Sequence, residues 1–449
     1  MGSDDTGFLF STPAMTEIFC LRFQLRAMMR FEWALSLALE KNGVAEAGSG
    51  LALERLLDAA FVDVAEVRER AADGGNIAIP FVHQLTSKVK NESATAARTV
   101  HLGATSQDVL DTALVLQMRD GLQLILATLQ QLDSALAKQV RTYADTVLSG
   151  RTWLQPGPPT TLGLKLAGTL AAVRRHRARL LAASERALVL EFGGAVGTLS
   201  ALGEAGAGVS RELARILELK EPDLPWHTQR DNLVEMGLIL ALLCGTLGKF
   251  AKDIALLMQA EVAEVAEPAT EGRGGSSTMP QKHNPVGCAT ILASAIRAPG
   301  LAATLLSAMP QEHERGLGLW QAEWETLPEL FKLTAAALER AVEIAEGLQV
   351  DAAKMKSNLD TTLGLAQAEA VSVALAAKIG REQAHELLRK AARQAGEAGL
   401  HLASVLKKMP EVATHLSAAE IDTLLDPRNY LGSAQRFIRR VLGDTDADR

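Results

Sequence analysis

The sequence predicts an all-α protein built around long helices, and three observations support that fold class. Hydrophobic residues make up 48% of the 449 residues and aromatic residues only 4%, so Leu, Ala, Val and Ile must supply most of the core. From Val115 to Leu136, apolar residues recur at alternating steps of three and four, which is the spacing of a helical seam. Between Asp231 and Val265 they cover most of a helix's circumference, so that helix must be enclosed on every side.

The chain divides into three predicted domains. Residues 1–112 mix amphipathic patches with turn signals and favour short helices. Residues 113–357 carry the predicted long helices, which start near Val115, Gly163 and Asp231. Residues 358–449 are interrupted by glycines and form a small helical domain. We expect one subunit to have too few helices to enclose the third long helix, which predicts packing against other copies of the chain.

Composition and charge exclude several classes of partner and compartment. The formal net charge is -7 and the chain has no basic run, so nucleic acid and acidic membrane surfaces are not expected partners. Three cysteines without CxxC spacing predict reduced thiols rather than a disulfide framework or a thiolate metal site. The N-terminus lacks a signal pattern, and the apolar run from Gly237 to Gly248 is too short for a membrane span. These features predict a cytoplasmic protein.

A glycine-rich stretch, Gly272 to Pro285, reads GRGGSSTMPQKHNP and is predicted to be a catalytic flap within residues 268–285. Its glycines allow the backbone to approach a ligand closely. The hydroxyls, the ammonium and the amide that follow suit chemistry next to a carboxylate, where a proton moves and negative charge develops. The alternative is a solvated linker with a helix start at its end.

A second stretch, His101 to Thr112, reads HLGATSQDVLDT and lies just before the first long helix. Its neutral donors Thr105, Ser106 and Gln107 stand where the positive end of that helix would be, which is typical of an anion site. The same residues could instead form an N-cap cluster, and their chemistry alone leaves both readings open.

The segment GSSTMPQKHNP resembles the signature of the fumarase/aspartase superfamily, whose members eliminate a group β to a carboxylate or catalyse the reverse addition. The resemblance implies that Ser276 handles the proton on the carbon α to a carboxylate. It also implies that Lys282 and Asn284 bind that carboxylate and that Ser277 contacts substrate. It further assigns ligand contacts to the donors of the second stretch, Thr105, Ser106 and Gln107, and a structural role to Asp108.

A third stretch, Arg151 to Gly163, reads RTWLQPGPPTTLG and resembles the superfamily's second conserved region. This implies substrate contacts for Thr152, Trp153 and Gln155. The chain departs from most relatives here, because hydratases and deaminases carry histidine where this chain has Trp153 and a partner glutamate where it has Ala289. Both halves of the His-Glu pair are missing.

The missing pair can be interpreted physically. Hydroxide, ammonia and amines need a proton to leave carbon, whereas a carboxylate leaves unprotonated because its conjugate acid has a pKa of about 4. This predicts an enzyme that makes or breaks a carbon-oxygen bond to a carboxylate. The cycloisomerase branch of the superfamily does so: a muconate carboxylate adds to its own double bond and closes a lactone. The segments PWHTQRD, QEHERGLGLWQAEWETLP and DPRNYLGSA also resemble that branch.

Other charged residues were weighed for function. His101 and His227 are predicted substrate contacts, with a hydrogen-bonding scaffold as the alternative. Arg315 is a predicted clamp for a third carboxylate, with an ion pair to a neighbouring glutamate as the alternative. The set Glu261, Glu264 and Glu267 is predicted to form a solvated or salt-bridged face of one helix rather than a metal site. No metal is expected.

The resemblance implies an all-α homotetramer with a central long-helix bundle, in which each active site combines three regions from three chains and no cofactor is needed. Adenylosuccinate lyase is one rival, but it predicts the His-Glu pair and an arginine near residue 324, where this chain has Trp324. A cycloisomerase for a sulfonated muconate is a second rival, because sulfonates and carboxylates need similar donors. A catalytically silent structural protein is a third.

Overall fold

The computed structural model describes residues 6–268, 274–275, 279 and 282–444. Helices dominate these residues, which confirms the predicted all-α class. The N-terminal part contains five helices, α1 to α5: Pro13–Ile18, Leu21–Lys41, Ser49–Glu54, Val64–Gly74 and Ala78–Lys90. Short helices were predicted for this part, and they are present alongside the 21-residue α2.

The described residues in the middle of the chain form six helices, five of them long. Helices α6 to α11 are Ser106–Thr142, Leu162–Ala187, Gly206–Leu217, Asp231–Leu257, Val286–Ser307 and Leu319–Gly347. The three predicted long helices correspond to α6, α7 and α9. Helix α9 ends at Leu257 rather than near Val265. Two long helices, α10 and α11, were not predicted, and each contains an internal proline, Pro299 and Pro328.

Seven helices follow in the C-terminal part. Helices α12 to α18 are Ala352–Asp360, Ala368–Ile379, Arg381–Ala398, Leu402–Leu406, Pro410–Ala413, Ala418–Leu425 and Ala434–Leu442. Short 3-10 helices occur at Thr6–Phe10, Ala96–Arg98, Ser200–Ala205, Leu365–Gln367 and Pro427–Asn429. Two of the glycines predicted to break this part do so, since Gly380 and Gly399 flank α14 with positive φ. Gly396 was also predicted to break the pattern, but it lies inside α14.

In the described part of the chain, two small antiparallel sheets lie between helices. Strands β1, Val147–Thr152, and β2, Gln155–Thr161, form a hairpin directly before α7. Strands β3, Val265–Ala266, and β4, Gln349–Val350, form a two-residue pair. The hairpin was not predicted, because the prolines at 156, 158 and 159 argue against a strand.

The described chain forms two compact units. The first comprises Met1–Leu129, Arg175–Gly245 and Thr290–Glu339, and the second comprises Gln130–Arg174, Thr246–Ala289 and Arg340–Arg449. The first unit has a core in which α2 buries Phe31 and Leu35 and packs against α8. In the second unit, the C-terminal helices bury their own cluster around Leu388, Leu406 and Ile421. The three sequence domains predicted above are a different division and stay a prediction.

Candidate active site

The motif at the start of α6 lies in the first unit and presents two hydroxyls near a helix N-terminus. Ser106 is the first residue of α6, and the backbone N–H of Thr105 donates to Asp108 Oδ2 at 2.9 Å. Both Thr105 and Ser106 are half-buried, and neither hydroxyl has a hydrogen bond among the described residues. Two hydroxyls beside the positive end of a 37-residue helix can receive an anion.

Asp108 ties this motif to a distant loop. Its Oδ1 accepts the backbone N–H of Gly193 at 3.0 Å, and its Oδ2 accepts that of Gly194 at 2.9 Å. Gly194 has φ +69°, and a Cβ there would approach the carbonyl oxygen of Gly103 to 2.8 Å, so the loop requires glycine at this point. The contacts agree with the predicted structural role of Asp108.

His227 is buried between two carboxylates. Its Nε2 lies 2.6 Å from Asp108 Oδ1 and 3.2 Å from Glu191 Oε1. Glu191 is itself buried: its Oε2 accepts the backbone N–H of Trp226 at 2.7 Å, while Oε1 has no hydrogen bond from any residue that the structure describes. Burial raises the pKa of Glu191 well above its usual value, and the nearby Asp108 and Asp111 carboxylates raise it further. The carboxyl group of Glu191 therefore keeps its proton to a higher pH than an exposed glutamate does.

The same three side chains could be considered for a metal, since one ligand atom from each lies within 4.8 Å of the others. The donor set does not fit one well. Both Asp108 oxygens already accept backbone N–H groups, and a metal would compete with those bonds for the same lone pairs. We therefore interpret the cluster as a hydrogen-bonded scaffold around His227.

Gln107 and Arg230 connect the motifs beneath this site. Gln107 is buried, and its Nε2 donates to Asp111 Oδ2 at 3.0 Å and to the His227 carbonyl at 2.7 Å. Arg230 is buried as well and donates to Asp111 at 2.7 and 3.0 Å and to Glu323 at 2.6 Å. Burial alone would lower the pKa of Arg230, but the two carboxylates raise it overall. The sequence analysis did not predict this ion triad. Charged residues within apolar helical segments were the feature of the sequence that could have indicated it.

Arg315 is held by the loop that Asp108 anchors. Its Nη2 donates to the carbonyls of Gly194 at 2.9 Å and Ala195 at 3.3 Å, and its Nη1 lies 3.4 Å from Gln107 Oε1. The alternative ion pair with a neighbouring glutamate is not formed among the described residues, since Glu312 accepts the backbone N–H of Leu317 instead. Arg315 is thus fixed in place with its remaining N–H groups available to a ligand.

The second unit carries the hairpin whose tip is Trp153-Leu154. Thr152 and Gln155 are paired across the turn, and both tip residues have positive φ, 54° and 63°. A two-residue turn with both φ values positive normally selects Asn-Gly, because other side chains are strained there. Trp153 is 97% exposed and Leu154 75% exposed. A strained, exposed and apolar tip is unusual for a solvent-facing turn, and backbone strain of this kind clusters at functional segments of proteins.

The glycine-rich flap is only partly described. Ser276 and Ser277, the predicted proton-handling serine and its neighbour, lie outside the described residues. Around them, the backbone N–H of Asn284 donates to the carbonyl of Gly274 at 2.9 Å, and that of Lys282 donates to Met279 at 3.0 Å. A Cβ at Gly274 would approach Asn284 O to 2.6 Å, so glycine is required where the chain closes on itself. The Lys282 side chain is exposed.

The glutamates after α9 correct one prediction. They do not line a helix face, because α9 ends before them. Glu264 is buried and accepts from Arg151 Nη2 at 2.5 Å and Asn358 Nδ2 at 2.9 Å. Glu267 is also buried and accepts the backbone N–H groups of Gly287 and Cys288, which caps the first turn of α10. The salt-bridged role was correct for Glu264, and Glu261 is exposed as a solvated residue would be. The predicted helix was wrong, and Glu267 is buried rather than solvated.

The structure thus divides the predicted site residues between the two units. The first unit holds those of the α6 motif and its neighbours: His101, Thr105, Ser106, Gln107, His227 and Arg315. The second unit holds those of the hairpin and the flap: Thr152, Trp153, Gln155, Lys282 and Asn284. Within the first unit, Gln107 contacts both the His227 backbone and Arg315, so three separate motifs meet there.

Comparison with known proteins gives consistent matches over nearly the whole chain. A family described as Lyase matches residues 8–300, and one described as Adenylosuccinate lyase C-terminus matches residues 364–441. The 3-carboxy-cis,cis-muconate cycloisomerase of Pseudomonas aeruginosa is 51% identical over 438 residues, which is 98% of this chain and 95% of that protein. The enzyme of the same name from Pseudomonas putida is 50% identical over 92% of this chain and 98% of its own length. The crystal structure of 3-carboxy-cis,cis-muconate lactonizing enzyme from Pseudomonas putida has a TM-score of 0.93 at 49% identity, covering 97% of each chain.

Proposed function

The chain belongs to the lyase family, as its motifs predicted, and from that premise we propose that it converts 3-carboxy-cis,cis-muconate to 4-carboxymuconolactone by adding a substrate carboxylate to a double bond of the same molecule. The observation that carries the proposal is the identity of about half of all positions, over 98% of the chain, with an enzyme of that name. In a cell the reaction would serve protocatechuate breakdown in the cytoplasm.

The chemistry of the hairpin supports this reaction class. A general acid is needed to expel an amine or hydroxide, and position 153 offers an indole ring instead. Ala289, in the first turn of α10, offers no carboxylate either. A carboxylate leaving group needs neither, because it departs as a stable anion. The rival adenylosuccinate lyase is not favoured by the family match at residues 364–441, since that segment contains none of the predicted site residues.

The proposed roles follow from the donors. Ser276 delivers the proton to the carbon α to a carboxylate in the lactone-forming direction, and Lys282 and Asn284 bind that carboxylate as negative charge develops. Thr105 and Ser106, at the start of α6, bind a second carboxylate through hydroxyls and the helix end. Arg315 binds a third. No metal or organic cofactor takes part in this scheme, because the substrate supplies both the nucleophile and the acceptor carbon.

The assembly we propose is a homotetramer with shared sites. Two helices, α9 and α10, are long and apolar enough to cross a membrane by length and composition, yet only 61% and 28% of their apolar windows are buried within the chain. Leu242 on α9 is 57% exposed and Ile296 on α10 is 81% exposed. Apolar helix faces of this kind are covered by other copies in helical bundles. The apolar hairpin tip around Trp153 would then complete a site in another subunit.

The reaction is tested by mixing purified enzyme with 3-carboxy-cis,cis-muconate and following loss of the conjugated diene's ultraviolet absorbance. Ser276→Ala is the matched variant, and the sulfonated muconate and adenylosuccinate are parallel substrates. We expect rapid loss that the variant abolishes. Turnover of adenylosuccinate without loss of the muconate would overturn the proposal, and faster turnover of the sulfonated compound would reassign the substrate.

The shared site has its own test. Ser276→Ala and the double variant Thr105→Val/Ser106→Ala are each expected to be inactive. The two inactive variants are then mixed in equal amounts and allowed to assemble into tetramers at random. If the flap and the α6 motif of one site come from different chains, about a quarter of the sites receive an intact copy of both, so the mixture should regain about a quarter of the wild-type activity. Mass spectrometry would show whether mixed tetramers have formed, and a lack of activity in them would refute shared sites. A monomer by light scattering at micromolar concentration would refute them as well.

A further inference from the structure

A buried glutamate on α2 lies outside every motif of the sequence. Glu32 is fully buried on the helix face that also buries Leu25, Met28 and Leu35, at a position of the seam where an apolar residue is expected. A buried carboxylate is tolerated only when it is hydrogen-bonded or paired, because its desolvation is otherwise strongly unfavourable. The group that Glu32 contacts therefore indicates the role of this carboxylate.

Both oxygens of Glu32 are committed to one residue, His101. Oε2 accepts the backbone N–H of His101 at 2.8 Å, and Oε1 lies 2.7 Å from His101 Nδ1. His101 has φ +57°, in the left-handed region that is strained for a non-glycine residue. The two bonds fix the backbone and the ring of a strained residue together, directly before the N-terminus of α6.

The Glu32 bond determines what the other side of the ring can do. Because Nδ1 faces Glu32, the imidazole presents Nε2, which has no hydrogen bond among the described residues. The His101 side chain is 19% exposed, so a ligand can reach it. When the ring is protonated, Nε2–H is a donor on a cation; when it is neutral with the proton on Nδ1, Nε2 becomes an acceptor that repels a carboxylate.

The charges around the ring favour the donor form. Burial alone would lower the pKa of His101, but the charge and the hydrogen bond of Glu32 raise it, so that overall the pKa lies above its usual value. The charged groups that act on the ring are Glu32 from α2 and Asp108 from α6, and both act in the same direction. Glu32 is the nearer and the only one in contact.

We propose that Glu32 is a positioning residue: it orients His101 and keeps its Nε2–H available as a cationic donor to a carboxylate of the substrate at the N-terminus of α6. The proposal rests on the carboxylated substrate proposed above. It adds a requirement that the motifs do not contain, since Glu32 lies 69 residues before His101 on another helix. Loss of the proton from His101 at high pH then weakens substrate binding.

The first test compares kcat/KM across pH for wild type, Glu32→Gln and Glu32→Asp. In the wild type, kcat/KM falls as pH rises through the raised pKa of His101. Glu32→Gln removes the charge and should move this alkaline limb to lower pH, so the loss of kcat/KM relative to wild type should grow as pH rises and be smallest at the lowest pH tested. Glu32→Asp keeps the charge and should leave the limb near its wild-type position. In His101→Asn, replacing Glu32 by Gln should have no further effect on the limb.

The second test needs no turnover and so separates this proposal from the proposed function. Diethyl pyrocarbonate modifies neutral imidazole, and peptide mass spectrometry reports the rate at His101 as a function of pH, with the exposed His385 as an internal reference. We expect half-maximal modification of His101 above pH 6.5 in the wild type and at lower pH in Glu32→Gln. Saturating substrate should protect His101 if it binds there.

Two results would overturn the proposal. One is a loss of kcat/KM in Glu32→Gln that is equal at all pH values, with an unchanged modification profile, which would make Glu32 purely structural. The other is a wild-type modification midpoint at or below pH 6.5. If 3-carboxy-cis,cis-muconate is not a substrate but the modification profile is as expected, the proposed function fails while the orientation of His101 stands.

Discussion

Nε2 of His227 lies 2.6 Å from Oδ1 of Asp108, and that single carboxylate also accepts the backbone N–H groups of Thr105, Gly193 and Gly194. One buried side chain thus fixes the start of α6, the glycine loop and the histidine of the PWHTQRD segment relative to one another. The hydroxyls of Thr105 and Ser106 can be held ready for an anion because their backbone is anchored from within the protein.

Replacing Asp108 by Asn should therefore destabilise the protein strongly. The amide has one accepting oxygen and brings an NH₂ group against backbone N–H donors, which leaves buried donors without partners at a cost of about 2–4 kcal/mol. The melting temperature at fixed protein concentration measures this. Asp223→Asn on the exposed surface is the control and should change stability by less than about 0.5 kcal/mol. Equal melting temperatures for the two variants would contradict the role of Asp108.

The ion triad around Arg230 gives a second prediction. Arg230→Met removes the only cation between Asp111 and Glu323 in the described part of the network and leaves two carboxylates buried, which should cost about 3–5 kcal/mol. Arg211→Met, which breaks an exposed pair with Glu221, should cost less than about 1 kcal/mol. The triple variant Arg230→Met/Asp111→Asn/Glu323→Gln removes the two carboxylate charges as well. If it is more stable than Arg230→Met alone, the uncompensated charges are the cause of the lost stability.

The raised pKa of Glu191 predicts a pH dependence of stability. A carboxyl group whose pKa is raised in the folded state stabilises the fold below its ordinary pKa of 4.5, and this contribution is lost as pH rises through the folded value. Relative to Glu191→Gln, which keeps an acceptor for the Trp226 N–H, the wild type should lose up to about 1.4 kcal/mol per pH unit from pH 4.5 upward. Melting temperatures of both proteins from pH 5 to pH 8 test this. A constant difference would mean that Glu191 is ionised in the fold; the exposed Glu204→Gln serves as the control.

The helical class and three of the long helices could be predicted because their apolar spacing is local to the sequence. Helices α10 and α11 were not predicted because Pro299 and Pro328 interrupt their apolar patterns, although tertiary packing keeps both segments helical. The hairpin was not predicted for a related reason: strand β2 contains prolines and the turn lacks Asn-Gly.

The candidate site was predictable only where one motif carried it. Thr105, Ser106 and the flap residues stand in continuous signatures. The pairing of Glu32 with His101 joins positions 69 residues apart, and that of Asp108 with His227 joins positions 119 apart. No pattern within a single helix or loop encodes such pairs; the only local trace is a charged residue at a seam position of an amphipathic helix.

The strained hairpin tip leads to a prediction in which one substitution raises stability and lowers activity. Trp153 and Leu154 both occupy left-handed φ values that Asn and Gly adopt readily, so Trp153→Asn/Leu154→Gly should relieve about 1–2 kcal/mol of strain and raise the melting temperature. The same change removes the exposed indole that we propose contacts substrate, and kcat/KM for 3-carboxy-cis,cis-muconate should fall at least about tenfold. Ala263→Gly relieves a positive φ of 47° outside the proposed site and should raise the melting temperature without loss of activity. Full activity in the double variant would remove Trp153 from the site, and a lower melting temperature would show that the tip is held by contacts that outweigh its strain.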